Sequence, residues 1–574
     1  MQTALLVFAA AVSASAALAA PSAPPPCDDS VGPIVSVVSS FSTVSSSPTA
    51  TRVSSTTSAA AAATSTSPAA AALTLTAAES SIVAGGFLSF SWKNAKASST
   101  DDWIVFTPSG KPSESNFFKD CWQYTYGDVY KLGTPATATG SISVKVPATP
   151  GTYTAFYCLN GGFNCPASVQ VTVTAPQVTC RPNGTTASAI KNVVIVISEN
   201  HSFDSYFGNY CTAPAGTNPT CHEGRECCAA ITPSVNGVKP IVLNDVTNLA
   251  YDNDHHSHSE ICEMNGGKMD RFITSGGCPG SDDRNYAACD GSKGSCGHYW
   301  EMAKTYAMSD NFFQAIAGAS SANDMYFARG GFVFEDNGAV PPSTKCNLGG
   351  VPAAAYSDPT IADLLAQCNV PFTFYAQDYS AELSPFKCWP VNYDPSDNPF
   401  EYYGTLRNSS KAGDYFRAYP AFLKDVVQGT LPAVSYIKAR GIASEHPGYS
   451  TISAGETLNK EIISSILNSP IYSQTTLVLL VPDESGGFRD SVAPPGRSVI
   501  DNKLYGPRIP FVAVGNMVKK SYISHVRAEP ASIVRFIESN WFADAVPGQL
   551  RTRDAVAGSF GDIFDAKVVG FEFP

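Results

Sequence analysis

The stretch "NVVIVISENHSFDSYFG", Asn192 to Gly208, sets two patterns side by side. Its first half is a near-continuous run of apolar, β-branched residues, as expected of a strand covered on both faces. The run stops abruptly at Glu199, Asn200 and His201. Asn200-His201-Ser202 also spells an N-glycosylation sequon, so a buried site and a surface glycan compete for one asparagine. A second run, "TTLVLLVP" (475–482), has the same character and ends in Asp483-Glu484. Between and after them, "PTIADLLAQC", "GETLNKEIISSILNS" and "EPASIVRFIESNWF" carry apolar residues at helical spacing. The alternation predicts an α/β domain over residues 187–574 with a mainly parallel central sheet.

In open α/β sheets, ligands bind beyond the carboxyl ends of the strands. If the two runs are neighbours, three carboxylates and one amide meet at one sheet edge. Such a set favours a hard divalent cation; the alternative is two unrelated strand ends making caps or salt bridges. "GASSANDMYFAR" places Ser320 in a small-residue turn ahead of a helix. There, backbone N–H groups and the helix dipole stabilise an anion, although a serine in that position also serves as a plain cap. Of eight histidines, three lie in "YDNDHHSHSE" (His255, His256, His258) and one, His446, in "SEHPGYST". Imidazoles there can bind phosphate oxygens or protonate a leaving alkoxide; a transition-metal site or a solvated loop are the other readings. His222 and His298, beside cysteines, read as structural.

Further out, the chain changes composition. The N-terminal run ends in Ala17-Leu18-Ala19, an A-x-A pattern, and reads as a signal peptide over residues 1–19. Residues 20–72, dominated by Ser, Thr, Ala and Pro, cannot bury enough apolar surface to fold and read as a disordered, O-glycosylated segment. Residues 73–175 hold short alternating runs such as "LSFSWK", "DWIVFTP" and "GTYTAFYC", separated by turn residues. They predict an immunoglobulin-like β-sandwich, either a spacer or a substrate- or wall-binding module. Sixteen cysteines, none after Cys388, suit disulfides in an oxidising compartment. Asn183 and Asn408 begin further sequons. A net charge of -12 argues against a nucleic-acid partner, and no later run is long and apolar enough to span a bilayer.

Taken in order, "ENHSFDSYFG", "DNDHHSHSEICEMNGGKMDRF", "DNFFQAIAGASSAN", "SEHPGYSTISAGE", "DESGGFRDSVAPP" and "YGPRIPFVAVG" resemble the motifs of the secreted phosphoesterases. These are the bacterial phospholipases C, plant non-specific phospholipases C and related acid phosphatases. The "DDWIVFTPSG" region is similar to the N-terminal β-domain of some secreted phosphatases. The resemblance implies an alkaline-phosphatase-like α/β sandwich. It implies one divalent ion (Ca, Mg, Mn or Zn) held by Glu199, Asn200, Asp483 and Glu484. It also implies Ser320 as nucleophile, with His255 and His446 as acid–base groups and Asn323 and His258 as substrate contacts. By this reading Asn200 is a ligand and its sequon goes unused.

Four positions depart from the family pattern: Asn253 for a proline, Asp324 for an arginine, and Ser491 and Pro530 for histidines. The expected partner is a phosphate ester, either a phospholipid head group or a small phosphomonoester. The expected location is extracellular, with contact to a membrane surface or cell wall. A catalytically weak binding or adhesion protein on the same fold is the alternative, which the lost histidines favour. A sulfatase is disfavoured because no Cys-x-Pro-x-Arg sequence occurs.

Overall fold

The computed structural model describes residues 73–94, 99–125, 137–344, 350–379, 389–543 and 547–574. The expected signal peptide and Ser/Thr-rich segment lie outside the described residues. The first strands are β1 (Thr74–Ala77), β2 (Ser81–Val83), β3 (Phe87–Lys93), β4 (Trp103–Thr107), β5 (Trp122–Tyr124), β6 (Thr139–Lys145), β7 (Gly151–Leu159) and β8 (Asn164–Thr174). They form two sheets, ordered β1-β3-β6 and β2-β8-β7-β4-β5. Phe90, Trp92, Ile104, Phe106, Tyr157 and Val171 share one core drawn from both sheets.

The remaining strands are β9 (Asn192–Ser198), β10 (Ile241–Leu243), β11 (Ala287–Cys289), β12 (Ala307–Ser309), β13 (Phe372–Ala376), β14 (Phe416–Ala418), β15 (Val434–Lys438), β16 (Thr476–Pro482), β17 (Phe511–Val514) and β18 (Tyr522–Ser524). Eight of them form the central sheet, in the order β14-β13-β15-β9-β16-β17-β12-β18. From β14 to β16 all pairings are parallel, and only β17 runs against its neighbours. The two apolar runs are adjacent strands. Val193, Ile195 and Ile197 enter one core while Val194 and Val196 enter another, and Leu477, Leu479 and Val481 alternate with Val478 and Leu480 likewise. A strand buried on both faces has no polar positions to alternate with, which is why its sequence is continuously apolar.

Among the described residues, disulfides join Cys158–Cys165, Cys180–Cys368, Cys211–Cys228, Cys221–Cys227, Cys262–Cys278 and Cys289–Cys296. Among the described residues no cysteine is free and no helix is long and apolar enough to cross a membrane.

The N-terminal sheets meet the α/β part through a buried ion cluster. Asp358 lies 2.9 Å from Arg329 Nη1 and 3.1 Å from Lys145 Nζ, all three nearly inaccessible. Arg329 also donates to the Gly85 carbonyl. Gly85 has φ +69°, and a Cβ there would stand 2.5 Å from the Asp358 carboxylate. Asp358→Ala would leave the buried Arg329 without its carboxylate and Lys145 with Asp120 alone. It is expected to cost about 3–5 kcal/mol of stability in denaturant unfolding; a loss within about 1 kcal/mol would show that the cluster is not a buried pair.

Candidate active site

Three parallel strands end together. Lys438 pairs with Ile197 and Pro482 with Ser198, so β15, β9 and β16 deliver Lys438, Glu199-Asn200 and Asp483-Glu484 to one edge. Asn200 adopts a left-handed conformation, φ +67°, which asparagine tolerates better than most residues. The chain turns there, and the Ser202 hydroxyl accepts from Ser205 N at 3.2 Å to cap the helix Phe203–Phe207. Gly486 and Gly487, at φ +65° and +67°, make the matching turn after Glu484. A Cβ on Gly486 would fall 2.2 Å from the Asn200 carbonyl oxygen, and one on Gly487 would fall 2.6 Å from that of Asp254. Only glycine lets the second acidic pair press against Asn200 and the His255 loop.

Lys438, which the sequence reading did not single out, sits among these acids. Its Nζ lies 3.1 Å from Glu199 Oε1, 3.3 Å from Asp483 Oδ2 and 3.6 Å from Asp324 Oδ2. One ammonium does not balance the set. Burial, reinforced by neighbouring carboxylates, pushes Asp324, Asp397 and Glu484 well above the usual carboxyl range and Asp483 up to about 6. Glu199 is the exception: burial opposes its charge, but Lys438 and His446 hold it down at about 2. Buried Asn200 Oδ1, Glu484 Oε1 and both Asp324 oxygens have no hydrogen-bond partner.

Among the described residues no three Asp, Glu, His or Cys side chains close into a coordination sphere as they stand. The oxygens of Asn200 and Ser320 lie outside that set of residue types. With them included, the donors are all oxygen and carry excess negative charge, and they fit a hard divalent cation.

Ser320 opens the helix Ser320–Arg329, after Ala319 as N-cap. Its Oγ accepts from Asn200 Nδ2 at 3.4 Å, which ties the helix start to the acidic edge. Asn323, expected to touch substrate, is instead committed to the turn. Its Oδ1 accepts from Ile316 N at 3.1 Å, and its Nδ2 donates to the carbonyls of Gly318 and Ala319 at 2.7 and 3.2 Å.

His255 and His446 stand beside the acids, their rings perpendicular at 5.6 Å. His255 Nδ1 donates to the Asn253 carbonyl at 2.6 Å, leaving Nε2 3.9 Å from Glu484 Oε1. His446 Nδ1 donates to the Pro447 carbonyl at 2.6 Å, and its ring stacks on Tyr449 at 4.1 Å. The tautomers follow from these carbonyl acceptors. Burial lowers the His446 pKa, against the pull of the Glu199 carboxylate. His258, also expected at the substrate, is exposed on the helix Ser257–Met264 beside the ring of His256 and does not join the acids. His222 stacks on Tyr522, and His525 bonds Asp310 and the Cys221 carbonyl; both serve packing.

The departures have structural roles. Ser491 bonds Asp204 and Thr232, within the network in which Arg508 pairs with Asp204 and Asp490. Glu529, beside Pro530, pairs with the fully buried Arg553 at 3.0 Å. Asn200 is wholly buried, whereas Asn408 is exposed. Asn183 lies in the turn Pro182–Gly184, and its side chain is outside the described residues.

Behind the site, burial raises the pKa of several acids. Glu445 accepts from Tyr206 and Tyr299 at 2.5 and 2.9 Å and is pushed up to about 8. Burial also raises Glu263 to about 9 and Asp204 to about 7. An acid whose folded pKa is raised stabilises fully below its unfolded pKa, and that contribution is lost as pH climbs through the folded value. The protein is therefore expected to melt at a higher temperature near about pH 5 than near about pH 9. Glu445→Gln should flatten part of that slope in a thermal melt, and an unchanged slope would contradict the assignment.

The Phosphoesterase family profile matches residues 190–543, well over half of the chain. The non-hemolytic phospholipase C of Burkholderia pseudomallei is 23% identical over 433 residues, 66% of this chain and 59% of that protein. Phospholipase C B of Mycobacterium tuberculosis is 22% identical over 414 residues, 66% and 78% of the two chains. The non-specific phospholipase C6 of Arabidopsis thaliana is 25% identical over 329 residues, 54% and 55%. The chain thus spans less than two thirds of the length of the first and third of these relatives. Among solved structures, a CBM33 polysaccharide monooxygenase matches at 13% identity over 17% of this chain and 60% of its own, with a TM-score of 0.13, too slight a likeness to argue from. The match spans the strand ends, the Ser320 turn and the histidine loops described above, and the chain belongs to the Phosphoesterase family.

Proposed function

We propose that this protein is a secreted, metal-dependent phosphoesterase that hydrolyses phosphate esters through Ser320. The observation that carries the reading is the 3.4 Å contact between Ser320 Oγ and Asn200 Nδ2, at the edge where Glu199, Asp483 and Glu484 converge. We read the architecture as an alkaline-phosphatase-like sandwich (187–574) preceded by an immunoglobulin-like domain (73–175). The paired cysteines support an extracellular location, with contact to a membrane surface or cell wall.

Glu199, Asn200, Asp483 and Glu484 would hold the cation, with Ser320 facing it. When bound, the ion supplies charge that polarises the phosphoryl oxygen and favours the Ser320 alkoxide. Ser320 Oγ attacks phosphorus, its bond to the ester oxygen breaks, and a phosphoseryl enzyme forms. The helix start and Lys438 add positive potential where phosphoryl charge gathers. His255 or His446, each with Nδ1 held by a carbonyl, presents Nε2 to take the proton of Ser320 Oγ and, as the imidazolium so formed, to pass it to the leaving oxygen. Water then cleaves the phosphoserine, returning Ser320 and releasing phosphate or a phosphoalcohol.

The relatives named phospholipase C support a phospholipid head group as substrate; a serine at position 320 supports a phosphomonoester. Ser491 and Pro530, where histidines are expected, favour the second reading of a catalytically weak surface-binding protein. Chelated protein given back Ca²⁺, Mg²⁺, Mn²⁺ or Zn²⁺ should regain turnover of p-nitrophenyl phosphate or p-nitrophenyl phosphorylcholine. The preferred ester assigns the branch. Folded protein that turns over neither ester with any ion would move the binding reading ahead.

A further inference from the structure

One buried carboxylate outside the proposed ligand set joins the turn before Ser320 to the turn after Glu484. Glu260 lies in the helix Ser257–Met264, just after the His255 loop, and is wholly buried. Its Oε2 accepts from Gly318 N at 2.7 Å, in the turn that precedes Ser320. The same oxygen accepts from Gln314 Nε2 at 3.1 Å. Its Oε1 accepts from Ser485 Oγ at 2.6 Å, directly after Glu484. Gln314 closes the loop: its Oε1 accepts from Ser485 N at 3.0 Å, and its Nε2 donates to the Gly318 carbonyl at 3.0 Å. Asp336 adds a second tie from the same helix, accepting from Ser257 N at 2.8 Å and Ala319 N at 3.2 Å.

We propose that Glu260 is a positioning residue that fixes the Ser320 turn, the Asp483-Glu484 turn and the His255 helix in one register, and thereby sets metal affinity and turnover. Resting on the phosphoesterase reading, the inference adds a residue that touches neither the ion nor the substrate. The chemistry explains why a carboxylate suits the position. Three groups from two segments converge on two oxygens of a third: Gly318 N and Gln314 Nε2 need an acceptor, while the Ser485 hydroxyl can donate or accept. Glutamine keeps the volume but turns an NH₂ group toward Ser485 or toward Gly318 and Gln314. Toward Gly318 and Gln314 the NH₂ breaks both bonds, and toward Ser485 it leaves a bond in which the hydroxyl must reverse and accept, so the tie weakens while the core stays filled. Groups that orient metal ligands from behind are worth about 10–100-fold in metal affinity or activity.

The test uses the full chain and two readouts. Ca²⁺, Mg²⁺, Mn²⁺ and Zn²⁺ are each titrated alone into chelated wild type, Glu260→Gln, Ser485→Ala and Glu263→Gln, and kcat and KM are measured with the ion that best restores activity. Glu263, buried on the same helix, meets Asn285 at 3.4 Å and none of the site turns, so its variant is the control. Glu260→Gln is expected to weaken binding of the restoring ion and to lower kcat by about 10–100-fold, with KM near wild type. Ser485→Ala should lose several-fold on both, and the double variant little more than Glu260→Gln alone, because both changes cut one tie. If Glu260→Gln does not fold, Ser485→Ala decides by the same two readouts. A folded Glu260→Gln, or failing that Ser485→Ala, that binds the ion and turns over like wild type overturns the role of Glu260 while leaving the site reading intact. Wild type that binds none of the four ions overturns the site reading, and this inference with it.

Discussion

Ser320→Ala is expected to lower turnover on the order of 10⁴-fold or more, the scale seen when a catalytic nucleophile is removed. The fold should hardly notice. Ser320 Oγ makes one long hydrogen bond, to Asn200, and the helix cap belongs to Ala319, so the stability cost stays within about 1 kcal/mol. The separation of the two effects is the point. A residue that merely capped the helix would show the reverse, a loss of stability with activity kept. Steady-state kinetics and a thermal melt on the same preparation distinguish them, and retained activity in the variant would remove Ser320 from the mechanism.

Glu484→Gln should separate function from stability in the other direction. Glu484 is wholly buried, its Oε1 is without a hydrogen-bond partner, and burial beside Asp483 and Glu260 raises its pKa well above normal. Its folded pKa being raised, ionising it costs stability at every pH above its unfolded value. The amide keeps the shape and drops the charge. Without metal, the variant is expected to be at least as stable as wild type near neutral pH. With metal, it should bind the ion and turn over at least about 100-fold more weakly, since under the proposed mechanism it removes a direct ligand rather than a support. Such opposition is the mark of a site whose residues are kept for function. A variant that loses stability without metal and keeps its metal affinity would mean that Glu484 is a structural acid.

Much of this was legible in the sequence because buried parallel strands advertise themselves. Asn192–Ser198 and Thr476–Pro482 are buried at every position, and the rule that ligands gather past strand ends put Glu199, Asn200, Asp483 and Glu484 on one edge on the condition that the two strands are neighbours, which they are. The same rule applied to the shorter run "VSYIK" would have found Lys438, the last residue of β15. It was missed because a five-residue run with a serine and a tyrosine does not stand out as a covered strand. Asp324 was noticed only as a departure from the family; its pairing with Lys438 depends on a helix meeting a strand distant in sequence. Glu260, Gln314 and Asp336 were invisible for the same reason, since hydrogen bonds between segments leave no periodic trace. Asn323 and His258 show the converse. Both were expected at the substrate, yet one amide is spent on its own turn and the other side chain is exposed.

The most direct test of the account is to look for the covalent intermediate. Wild-type protein, loaded with the restoring ion and mixed with p-nitrophenyl phosphate, would be quenched in acid, digested and analysed by mass spectrometry. The predicted result is a phosphoryl group on the peptide containing Ser320, absent from Ser320→Ala and lost when the quench is delayed until substrate is exhausted. Turnover without any phosphorylated Ser320, at quench times shorter than one catalytic cycle, would contradict the account and require direct attack by water.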